Sequence, residues 1–186
     1  GKWIAGVIQT LQNQPEQARV NLERGLELCL EVDDRFGVWY SLVYLVWHSI
    51  HTGQVQRAYG YCRDLLKMSD RLKIPFHFYD VGLMGILLAL SRKQLAGDPV
   101  PAEWLDAVRL LAAFEELGKP YLRTLDYEFV RREYQGLLML IRQKMDPAAF
   151  EAAWKEGRIL AGSLDGAIQC ALATGEKYTL TPAAAP

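Results

Sequence analysis

Three cysteines in 186 residues are too few and too scattered for a disulfide framework. Cys29, Cys62 and Cys170 are odd in number, form no C-x-x-C pair, and each lies in an apolar, helix-like stretch. They read as small buried hydrophobes, kept reduced in a cytosolic protein. No apolar run reaches the roughly 20 residues that span a bilayer. The longest runs, Val38 to Ile50 and Val81 to Leu90, therefore read as core helices, and no membrane role is expected. Neither sign of charge dominates: 21 Lys and Arg against 22 Asp and Glu give a net charge of −1. That balance argues against a generally basic nucleic-acid binder and leaves only a local patch to consider. No secretion signal is visible. The chain opens on Gly1 rather than Met, so it reads as a fragment of a longer protein.

Catalytic motifs are also missing. There is no G-x-x-x-x-G-K-[ST] loop, no G-x-S-x-G and no H-E-x-x-H. Gly82 and Gly85 lack the third glycine and the preceding strand of a dinucleotide site. His48 and His51 are three apart on one helix, but no Cys or acid close in sequence completes a metal set, so they read as packed or groove-lining. Asp64 with Asp70, and Glu115 with Glu116, lie in charged helical surroundings and read as solvated faces. Arg123, Arg131, Arg132, Arg142 and Lys144 alternate with Tyr121, Tyr127, Phe129 and Tyr134, as on a nucleic-acid surface. Asp126, Glu128 and Glu133 interrupt that pattern, so an ordinary helix face is expected there. The expectation is a non-enzyme with no cofactor, no metal and no direct nucleic-acid contact.

What the chain does have is helical period. Hydrophobic residues make up 51% and charged residues 23%, the balance of a globular chain. Strand signals are almost absent, and proline and glycine stand between long periodic segments. About nine helices are expected. They run from Lys2 to Gln12, Glu16 to Val32, Phe36 to Thr52, Val55 to Leu72, Pro75 to Leu95, Ala102 to Leu117, Pro120 to Lys144, Pro147 to Leu160, and Ser163 to Thr174. Asp146-Pro147 is a strong start signal, Ser163 can cap the last helix, and Gly53 suits the position just past a helix end. Residues from Gly175 onward read as a tail or linker, leaving one helical domain over residues 1–174.

The chain also repeats itself. At a shift of 40 residues Ala18 meets Ala58, Leu22 meets Cys62, Leu26 meets Leu66, and Leu28 meets Met68. Asn13 meets Gly53 at the turn, and Trp3 to Ile8 lies opposite Val43 to His48. A third, degenerate unit starts at Gly82 to Leu90. The expected architecture is an all-α solenoid of antiparallel helix pairs.

Gly6, Asn13, Ala18, Leu22 and Gly25, then Gly53, Ala58 and Cys62, resemble the tetratricopeptide repeat. Val46 and Leu65 replace small residues of that pattern, and the period near 40 exceeds the family's 34. The block Phe150-Glu151-Ala152-Ala153-Trp154-Lys155-Glu156-Gly157-Arg158, followed by Ser163 to Ile168, is more specific. With Ala107 to Gly118 it resembles the helical-repeat region of large bacterial transcriptional regulators of the MalT, AfsR and LuxR types. Those proteins pair such repeats with a nucleotide-dependent switch. The resemblance covers roughly residues 1 to 174. Gly166 and the inserted Ala161-Gly162 depart from the pattern, and Leu180-Thr181-Pro182 resembles the linker before a LuxR-type DNA-binding domain.

In the tetratricopeptide family the first helix of each pair lines a concave groove. Carried over, the resemblance points Trp3, Val7, Leu11, Tyr40, Val43, Trp47, Ile50 and His51 into it. It implies a non-catalytic sensing scaffold that takes a protein or peptide partner, or a small-molecule effector, in the groove. By spacing alone Tyr40, Tyr44, Trp47 and His51 share one helical stripe. The same residues could instead pack on neighbouring helices. The other roles left open are an accessory domain of a helical enzyme and a plain structural spacer.

Overall fold

The computed structural model describes residues 14–72, 78–91, 102–119 and 128–179. Eight α-helices and no strands are found among the described residues. They are α1 (Pro15–Glu31), α2 (Arg35–His51), α3 (Val55–Leu72), α4 (Phe78–Ser91), α5 (Glu103–Gly118), α6 (Glu128–Lys144), α7 (Pro147–Leu160) and α8 (Leu164–Thr179). The protein is all-α, as its periodicity predicts. The helix expected at Lys2 to Gln12 lies outside the described residues.

Local chemistry sets the helix ends. Pro15 opens α1, where its missing N–H is not needed. Asp34 caps α2 by accepting from the Gly37 amide at 3.0 Å. Gly53 closes the next turn at φ +71°, a left-handed conformation in which an L side chain is strained. Asp146 accepts from Ala149 N at 2.9 Å, and Pro147 follows at the first helical position. Ser163 Oγ accepts from Gly166 N at 3.1 Å.

By its internal contacts the chain divides into two compact units, between Met68 and Ser69 within α3. In the first unit α1 packs on α2 across a three-residue turn. In the second, α4 packs on α5, α5 on α7, and α8 on both α4 and α5. Successive helices thus pair as in an α-solenoid. Phe78 through Ala89 of α4 are all buried, which explains why this segment shows almost no amphipathic pattern. The 40-residue register reappears as equal burial: Ala18 and Ala58, Leu22 and Cys62, Gly25 and Leu65, and Cys29 and Ser69 are all buried.

One expectation at the C-terminal end needs correction. α8 continues past Thr174 to Thr179, because Gly175 is a contact rather than a stop. A Cβ there would lie 2.7 Å from Met84 Cε, and Tyr178 beyond it is only 6% exposed. The anchor of α7 is Phe150. Phe150 is 2% exposed, whereas Trp154 is half-buried and stacks on it at 5.6 Å. Arg142 caps this ring pair, 4.8 Å from the Phe150 centroid and 5.8 Å from that of Trp154.

Candidate functional site

Trp3, Val7 and Leu11 lie outside the described residues. The remaining expected groove residues are all on α2, in the first unit, and they divide by burial. Val43 and Trp47 are buried, Tyr40 and Ile50 are half-buried, and His51 is exposed. The His51 and Trp47 rings are 6.0 Å apart, and His51 Nδ1 lies 2.8 Å from the Trp47 carbonyl oxygen. Toward the start of the helix the spacing of four residues lines up further rings. Phe36 and Tyr40 are 5.2 Å apart, Trp39 meets Tyr40 edge-on at 5.0 Å, and Tyr40 stacks on Tyr44 at 6.4 Å. Phe36 is 61% exposed. The α2 aromatic row therefore begins at Phe36, four residues ahead of the predicted stripe.

His48 faces inward at 2% exposure. Its Nε2 has no hydrogen-bond partner among the described residues. Burial pushes its proton affinity below the ordinary value near 6.5, with Arg19 and His51 adding to the fall and Glu16 and Glu23 opposing it. The folded chain thus binds this proton less readily than the unfolded chain. Stability contributed here is complete above pH 6.5 and is lost as pH falls below it. Denaturant titrations at pH 7.0 and 5.5 should show the loss, and His48→Gln should flatten the difference between the two. An unchanged difference in the variant would assign the pH dependence to other groups.

Ionic side chains on α1 join this region to α3. Arg19 donates to Glu23 at 2.7 Å and to Glu16 at 3.1 Å, and the Tyr61 hydroxyl donates to Glu23 at 2.9 Å. Burial and that bond to a carboxylate push Tyr61 up to about 12.

The second unit holds a polar centre that sequence reading did not find. Asp106 on α5 accepts from Arg109 Nη1 at 2.6 Å, Tyr178 OH at 2.7 Å and Lys177 Nζ at 3.0 Å. Arg109 Nε also donates to Glu156 of α7 at 2.5 Å. Burial alone would raise the Asp106 pKa, but the donors Tyr178 and Lys177 outweigh it and hold the carboxyl below its ordinary range. The only sequence signal was Asp106 three residues before Arg109. The contacts with Lys177 and Tyr178 span 71 and 72 residues, beyond any local pattern.

Three of the four carboxylates read as solvated faces are individually engaged. Glu115 accepts from the Tyr134 hydroxyl, and Glu116 accepts from Lys119 at 2.8 Å and from Arg158 at 3.2 Å. Asp70 accepts from Gln169 at 2.8 Å, and Asp64 is exposed. Tyr134, one of the aromatics interleaved with basic residues, is buried against Phe114 at 5.5 Å. Among the described residues no group of three His, Cys, Asp or Glu side chains could hold a metal ion. No disulfide joins the three cysteines. No helix among the described residues is long and apolar enough to cross a membrane. Searches of family models, of curated proteins and of solved structures found no match to this chain.

Proposed function

We propose that the chain is a non-catalytic interaction and sensing module of a multidomain bacterial regulator, working in the cytoplasm. It takes a peptide, a partner domain or a small effector against the aromatic edge of α2. The observation that supports this reading is the row Phe36, Trp39, Tyr40 and Tyr44, whose successive contacts are 5.0–6.4 Å and whose first ring is 61% exposed. Aromatic rings give a large contact area at low entropic cost, and such residues dominate binding energy at interfaces. The resemblance to tetratricopeptide regions of transcriptional regulators supplies the wider setting.

Selection of a displayed peptide library on the intact chain tests the reading. Enriched peptides should bind the parent and lose at least tenfold in affinity with Tyr40→Glu, since a charge would meet an apolar ligand surface. The variant should melt within a few degrees of the parent. Phe36→Glu, at the more exposed position, repeats the test with less disturbance of packing. Failure to enrich any peptide, or equal binding by both folded variants, would leave α2 as a packing helix and the module as a spacer.

A further inference from the structure

α8 is held to the second unit in two different ways. Its first part is anchored by apolar burial, with Ala167, Ile168 and Ala171 each at 0% exposure. Its last part adds polar bonds that converge on one carboxylate oxygen, beside the Tyr178 ring at 6% exposure. Lys177 Nζ and Tyr178 OH both donate to Asp106 Oδ2, while Arg109 occupies Oδ1. Between the two parts lies Gly175, the weakest helix former apart from proline and a natural place for the helix to part. Gly175 rests on Met84, which is fully buried beneath it.

We propose that the last turn of α8 is a strap, latched on Asp106, that opens at Gly175 without unfolding the second unit. The apolar burial of Ala167 to Ala171 lies ahead of Gly175 in the helix and stays in place when the strap lifts. Opening uncovers Met84 on α4 and leaves the Asp106 carboxylate with Arg109 as its donor, a surface covered in one state and presented in the other. This inference does not depend on what the α2 edge binds.

Native-state hydrogen exchange on the whole chain tests it. Asp106→Asn keeps the side chain's shape and removes its charge. The amides of residues 176–179 should then exchange at least tenfold faster, while those of residues 168–171 and of α4 and α5 keep their protection. Lys177→Gln combined with Tyr178→Phe removes the latch from the other side, leaves Asp106 paired with Arg109, and should give the same local pattern. This double variant decides the matter if Asp106→Asn does not fold. Equal acceleration along all of α8 would mean that the strap opens only with the whole unit and would overturn the proposal. Unchanged exchange at 176–179 in the variants would show that Asp106 does not latch it.

Discussion

The Gly157→Ala variant is expected to melt on the order of 10 °C below the parent chain, a cost of about 3 kcal/mol. A Cβ at residue 157 would sit 2.2 Å from the Arg109 carbonyl oxygen, 2.9 Å from the Arg109 carbonyl carbon and 2.7 Å from Ala112 Cβ. None of these is the end of a flexible side chain, so no rotamer change relieves the clash. α7 must retreat from α5, and every contact between the two helices loosens with it. Gly136 on α6 gives the control, because a Cβ there would meet nothing within 4 Å. Gly136→Ala should be neutral or stabilising by up to about 1 kcal/mol, the difference in helix propensity. Equal melting temperatures for the two variants would show that α5 and α7 do not approach so closely.

Phe150→Ala should cost about 3–5 kcal/mol, the range for truncating a fully buried aromatic ring. At 2% exposure the ring leaves a cavity when removed, and it is also the platform for Trp154 and Arg142. Trp154→Ala should cost less, because that ring is half-buried and covers its neighbour from one side. Chemical denaturation of both variants gives the order directly. A larger loss at Trp154 would invert the roles assigned to the two rings.

The sequence made local features legible and left distant ones hidden. Helix starts at Pro15 and Pro147 and caps at Asp146 and Ser163 depend on neighbours within four residues, so their positions could be read directly. Burial at Ala18 and Ala58 followed from periodicity. The burial of Phe150 over Trp154 could not be read, because two aromatics four apart on one face look alike until the opposing helix is known. Gly157 was visible as part of a block, but its need for a bare Cα comes from a carbonyl 48 residues away. Gly175 was misread because glycine after a periodic run usually ends a helix, and here tertiary packing against Met84 overrides that preference. For the α2 row, spacing placed Tyr40, Tyr44, Trp47 and His51 on one stripe, but spacing carries no information about which of them an adjacent helix covers.

Arg109 occupies an unusual mechanical position. Its backbone carbonyl is the closest point of α5 to Gly157, and its guanidinium reaches Glu156 on one side and Asp106 on the other. A single residue is therefore both the fulcrum on which α7 rests and the tie rod to the carboxylate that holds the end of α8. A hard contact at the fulcrum leaves little slack, since carbonyl and glycine have no side chain between them to compress. A tilt of α7 about that contact would carry Glu156 with it, and Glu156 shares the Arg109 guanidinium with Asp106.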